Sequence, residues 1–124
     1  MIYSDKAFSG FSVDNITEAK NFYHNILGVE VEQSPMGLQL KAGNGVFIYE
    51  KDDHVPATFT ILNFPTDNID AAVKELEAKG VLFEHYEGLT DEQGVARGLD
   101  QNRGPNIAWF KDPAGNILSV LQDK

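Results

Sequence analysis

Residues 11–16 read FSVDNI and residues 64–69 read FPTDNI. Two near-copies of one hexapeptide stand 53 positions apart (64 minus 11) in a chain of 124 residues. Asn15 is a favourable N-cap, with Glu18 three residues on in the manner of a capping box. The apolar residues Ile16, Ala19, Phe22, Tyr23, Ile26 and Leu27 then recur on one helical face, and Gly28 supplies the stop. The second copy repeats this logic. Asn68 can cap, Ile69, Ala72, Val73 and Leu76 make the stripe, and Gly80 ends it.

The flanking stretches read as strands. FSGFSV (8–13) precedes the first helix, and VEVE (29–32), GLQLKA (37–42) and VFIYEK (46–51) follow it, the last two joined at Gly43-Asn44-Gly45. TFTILNF (58–64) precedes the second helix. VLFEHYEG (81–88), NIAWFK (106–111) and NILSVLQ (116–122) follow it, the last two around the turn DPAG. Residues 89–105 are polar and Gly-rich and read as a long loop. The expected class is therefore α+β, with β-α-β-β-β occurring twice within one domain. The first module covers about residues 1–52 and the second 58–124. Neither could bury much alone, so a core requires both, or a second copy of the chain.

Composition narrows the function. The apolar share of 42% and charged share of 23% are those of an ordinary globular protein. A net charge of −9 argues against nucleic acid and against anionic membranes. No apolar run approaches the roughly 20 residues that span a bilayer. The opening MIYSDKAFSGF lacks the pattern of a signal peptide, so a cytoplasmic location is expected. The absence of cysteine removes disulfides, thiolate ligands and a cysteine nucleophile together. No G-x-S-x-G, S-x-x-K or strand-bound G-x-G-x-x-G motif is present.

The stretches FSVDNITEAKNFYHNILGVEVE, FPTDNIDAAVKELEAKGV and WFKDPAGNILSVLQ together resemble the vicinal oxygen chelate superfamily, which contains glyoxalases, bleomycin-resistance proteins and extradiol dioxygenases. The resemblance spans essentially the whole chain. It implies two βαβββ modules whose mixed sheets form a cupped site, often completed in a homodimer. Metal-using members carry two His and one or two Glu at equivalent strand positions. Counting from the repeated motif places those slots at Phe8, Ile61, Ser119 and, in VFIYEK, Ile48, with Glu50 on the same strand face. Phenylalanine and isoleucine cannot ligate a metal and a serine hydroxyl is a poor ligand. The family's metal site is therefore not expected. No catalytic residue and no cofactor are assigned.

Strand alternation, with the slots taken to face inward, puts Phe8, Gly10 and Ser12, then Val46, Ile48 and Glu50, then Phe59, Ile61 and Asn63, then Ile117, Ser119 and Leu121 on the concave face. Trp109 joins them, with Phe110 turned to the helix. Phe8, Ile48, Glu50, Phe59, Ile61, Trp109 and Ser119 are the expected ligand-pocket residues, and Arg97 and Arg103 on loop 89–105 the expected lid, able to meet an anion. The function expected is a metal-free small-molecule binding protein of the glyoxalase and bleomycin-resistance type, working as a homodimer. The alternative is a metal-dependent lyase, isomerase or dioxygenase with a relocated site, drawing on His54, His85 and Glu50. A filled core with no pocket, or an interaction module using the dimer surface, are the remaining readings of the same residues.

Overall fold

A computed structural model describes all 124 residues. The chain divides into two compact units, Met1–Pro56 and Ala57–Lys124. The first holds β1 (Ser9–Val13), α1 (Ile16–Lys20), β2 (Val31–Ser34), β3 (Gly37–Leu40) and β4 (Val46–Glu50). The second holds β5 (Thr60–Pro65), α2 (Ile69–Ala78), β6 (Val95–Arg97), β7 (Asn106–Lys111) and β8 (Ile117–Gln122). Each is a four-stranded mixed sheet with its helix, in the orders β1-β4-β3-β2 and β5-β8-β7-β6. β1 pairs with β4 and β5 with β8 in parallel, while the other neighbours are antiparallel. The two units thus share one topology, the βαβββ plan of an α+β fold.

The doubled hexapeptide starts both helices in the same way. Asn15 and Asn68 sit in extended backbone at φ −147° and −146°. Their side-chain oxygens accept 3.0 Å bonds from the backbone N–H of Glu18 and Ala71. A second acceptor serves each helix. Glu50, the last residue of β4, takes the Ile16 N–H at 2.9 Å, and Gln122, the last of β8, takes the Ile69 N–H at 2.9 Å. Two of the unpaired donors at each helix start are satisfied by side chains. Gly28 and Gly80 follow the helices with φ of +75° and +94°, a conformation that a side chain would strain. The first helix is not uniform: α1 runs on as a π-helical segment, Asn21–Ile26.

The register fixes which side chains meet the helix. In the first unit Phe11 is opposite Ile48, and Ile48 opposite Leu38. This face carries the buried Val13, Leu38, Leu40, Val46 and Ile48, with Phe22 and Tyr23 from the helical segment, and Phe11 packs 6.1 Å from the Tyr23 ring. In the second unit Val95, Ala108, Phe110, Leu118 and Val120 form the corresponding layer with Ile69 and Val73 of α2. Each large apolar side chain buried this way contributes on the order of 1.5–3 kcal/mol.

Two sequence expectations are corrected. Residues 81–88 do not form a strand. Phe83 makes one isolated bridge to Phe110, and the Glu84 N–H bonds to Trp109 O at 2.8 Å. The strand lies instead inside the expected loop, at Val95–Arg97, on the same edge of β7. That edge is served in two pieces because the chain turns away between them. The Asp91 carboxylate holds the turn, accepting the backbone N–H groups of Gln93 and Val95 at 2.9 Å each. Val95 and Ala96 are buried, so residues 89–105 are anchored in the sheet rather than laid over it.

The DPAG turn between β7 and β8 is built on a buried carboxylate. Asp112 Oδ1 accepts from Ala114 N and Asn116 N at 2.9 Å each, and its Oδ2 from Asn116 Nδ2 at 3.0 Å. Charge-assisted bonds of this kind offset the cost of burying the charge.

Candidate functional site

One face of each sheet is not covered by its helix. In the second unit it carries Ile107, Trp109, Ile117, Ser119 and Leu121. The Trp109 indole is held in place. Its Nε1–H donates to Thr60 Oγ1 at 3.0 Å, and the Tyr86 ring meets it edge-on with centroids 5.5 Å apart. Ser119 is buried, and its hydroxyl donates to Asn63 Oδ1. Beside Trp109 lies a cavity of about 370 Å³, lined by Leu89, Arg97, Gln101, Arg103, Pro105, Ile107, Trp109 and small residues of the 88–98 segment. Its wall is partly apolar, with polar points at Arg97, Gln101 and Arg103.

The two arginines differ in availability. Arg97 forms a fork with Asp70 of α2, at 2.7 and 3.2 Å, and bonds to Asp91 through Nε at 2.8 Å. Asp70 and then Asp91 hold the Arg97 guanidinium above its usual pKa. Arg97 in turn lowers the pKa of Asp70. Burial raises the pKa of Asp91, but the Arg97 bond and the Val95 and Gln93 N–H groups outweigh it and leave that carboxyl below its usual value. Arg97 therefore joins the helix, strand β6 and the turn, and its charge is met. Arg103 is exposed and its guanidinium makes no hydrogen bond or ion pair.

Of the residues expected in the pocket or lid, the structure brings Trp109, Arg97 and Arg103 to one cavity. Phe110 is turned to the helix side, as alternation from Trp109 required. Ser119 and Asn63 share the uncovered face. Ile61 is half-buried in β5, at a break in register between Thr60 and Leu62. Phe59 precedes that strand and is 68% exposed. Phe8 precedes β1, is 63% exposed, and edges a shallow groove with Asn44 and Val46.

Ile48 and Glu50 are corrections. Both lie on the helix side of β4, where Ile48 is wholly buried and Glu50 accepts from the helix N-terminus. Pairing explains the slip. Phe11 is opposite Ile48, and its counterpart Phe64 is opposite Val120, so the residue of β4 matching Ser119 is Phe47. Phe47 and Tyr49 occupy the uncovered face, stacked at 6.2 Å with 19° between planes. Sequence reasoning passed over them, together with Ile107, Tyr86 and Leu89. Ile107 was within reach, since it stands two residues from Trp109 on the same strand.

The alternative metal set is dispersed in hydrogen bonding. His54 Nδ1 meets Ser12 Oγ at 2.6 Å, His85 Nε2 meets Glu92 O at 3.1 Å, and Glu50 accepts from Ile16 N at 2.9 Å. No group of three or more His, Asp or Glu side chains stands close enough to hold a metal ion. No helix is long and apolar enough to cross a membrane.

The fold recurs among solved structures. A protein described as belonging to the glyoxalase family from Bacillus anthracis superposes with a TM-score of 0.72 at 20% identity, over 100% of this chain and 98% of that one. TnmS3, an antibiotic binding protein from Streptomyces sp. CB03234, gives 0.70 at 21%, covering 100% and 99%. A lactoylglutathione lyase from Agrobacterium tumefaciens gives 0.68 at 20%, covering 97% and 94%. At such identities the likeness is one of fold. No curated protein matches in sequence. The family model for the Glyoxalase/Bleomycin resistance protein/Dioxygenase superfamily matches residues 8–120, and the chain belongs to that superfamily.

Proposed function

We propose that this protein binds a small, partly aromatic molecule without a resident metal ion, holding it against Trp109 in the second unit. The observation that carries the reading is the 370 Å³ cavity whose wall is a hydrogen-bonded, half-buried indole. The residue types at the family's metal positions support it, since Phe8, Ile61, Phe47 and Ser119 include no imidazole or carboxylate. The antibiotic-binding relative supports binding as a role for this fold. On this reading the protein is cytoplasmic and works as a homodimer, to which the exposed Phe8 and Phe59 lend apolar surface.

Trp109 is the only tryptophan, so its fluorescence reports on the cavity directly. Titration with a panel of aromatic compounds is expected to quench or shift it saturably, and Ile107→Asp should abolish the effect. A panel without response, or binding by calorimetry that Ile107→Asp leaves untouched, would refute the site. Metal dependence is tested separately. Dialysis against EDTA should leave the melting temperature unchanged, whereas a native ion at 100 times its Kd would add about 2.7 kcal/mol.

A further inference from the structure

The cavity beside Trp109 differs in charge from the chain around it. The protein carries 19 acidic and 10 basic residues, yet no Asp or Glu lines this cavity. Its charged lining residues are Arg97 and Arg103. Arg97 is answered by two carboxylates, Asp70 and Asp91, at hydrogen-bond distance, which leaves that cluster with one net negative charge. Arg103 has no such partner. Arg103 is therefore the one charged group of the lining without a bonded counter-charge, in a protein of net charge −9. At physiological salt the Debye length is about 8 Å, so distant surface carboxylates act more weakly on a bound ligand than an adjacent guanidinium does.

Arg103 is also placed by the backbone. Its N–H bonds to Gly98 O at 2.8 Å, closing a short loop. Asn102, just before it, adopts φ +53°, the one positive φ outside glycine. At Gly98 a Cβ would lie 2.6 Å from Pro105 O and 2.9 Å from Gly104 O, so the two ends of the loop touch and only glycine fits. Asn102 ends the short helical turn Leu99–Gln101 in a left-handed conformation that asparagine adopts readily. The closed loop fixes the origin of a cationic side chain at the rim of an aromatic-walled cavity.

We propose that the cavity selects planar aromatic ligands carrying a single anionic group such as a carboxylate, with the ring against Trp109 and the anion at Arg103. This specificity rests on the proposed binding function. Leu89, Pro105 and Ile107 supply the apolar wall, and the guanidinium offers a fork that matches a carboxylate.

The test compares naphthoate, naphthamide and naphthylmethylamine, which share a ring system and differ in charge. Trp109 quenching should show naphthoate binding roughly 2- to 5-fold tighter than the amide, with the amine weakest. Arg103→Gln should bring naphthoate down to the amide's affinity and leave the amide unchanged. Arg103→Lys should keep part of the preference. Equal affinities for acid and amide, or tightest binding of the amine, would overturn the anion specificity and leave the binding function standing. No quenching by any of the three, or by a wider aromatic panel, would overturn both. Retained preference in Arg103→Gln would remove Arg103 from the role.

Discussion

Glu50 offers a sharp separation between a binding residue and a folding residue. Its carboxylate takes the first N–H of the first helix, at 2.9 Å, while Asn15 takes the N–H of Glu18. Because Glu50 is exposed, water partly replaces the lost bond in Glu50→Ala, and that loss should cost about 0.5–1 kcal/mol. Removing a negative charge from a helix N-terminus adds about 0.3–1 kcal/mol at low ionic strength. Glu50→Gln keeps an acceptor and forfeits only the second contribution. With about 2.1 cal/mol/K per residue of unfolding entropy, a chain of 124 residues loses roughly 4 °C of Tm per kcal/mol. Glu50→Ala should therefore lower Tm by about 3–8 °C and Glu50→Gln by about 1–4 °C, the latter shrinking in 1 M salt. Thermal unfolding followed by circular dichroism reads both, and Trp109 titrations should be unaffected. Should Glu50→Ala keep the parental Tm but weaken ligand binding, Glu50 belongs to a pocket and the capping account is wrong. An unchanged Tm in Glu50→Gln at both salt concentrations would refute the charge contribution.

Further outcomes follow from the same geometry. Asp112→Ala strips the acceptor from three donors around a buried turn and should cost about 2–4 kcal/mol, measured by urea unfolding. Ile48→Ala should cost about 2–5 kcal/mol and Ile48→Val about 0.5–1.5 kcal/mol, with Trp109 titrations unchanged in both. The Arg97 cluster gives a signed pH dependence. Asp70 and Asp91 have lowered folded-state pKa values, so their contribution is complete above the unfolded value of 3.8 and is lost as pH falls through the folded values. Arg97→Met should thus be less stable than the parent at neutral pH, by about 1 kcal/mol given the half-exposed Asp70, and the gap should close in acid.

Much of the fold could be read because its signals are local. An Asn that caps a helix and a Gly that ends it need only their immediate neighbours, so both helices stood in FSVDNI, FPTDNI and their downstream glycines. Trp109 and Phe110 alternated as expected because β7 is regular and paired on both edges. The failures came where pairing partners decide. VLFEHYEG has the composition of a strand, but only Phe83 bridges to β7. Val95–Arg97 is three residues flanked by glycines, too short for any pattern, and becomes a strand because β7 has an edge to fill. Ile48 and Phe47 are both apolar neighbours in one strand, and only the register against Phe11 says which one faces the helix. Arg97 and Arg103 were placed on one lid, but Asp70, distant in sequence, and Asp91, six residues away, bind Arg97 and not Arg103.

The π-helical segment and the register break in β5 bear on the repeat. The motif residues of the two units align at an offset of 53 through Ala19 and Ala72, yet Gly28 and Gly80 align at 52 (80 minus 28). The discrepancy of one residue falls across Asn21–Ile26, where the first helix widens to absorb it. Between Thr60 and Leu62 the second unit holds an extra residue of its own. The two units thus differ by single residues in different elements. Those differences limit any transfer of positions between the halves. A constant offset is valid from Phe11 to Ala19 but misnumbers what lies on the far side of either one, so Phe8 is matched by Thr60 as much as by Ile61.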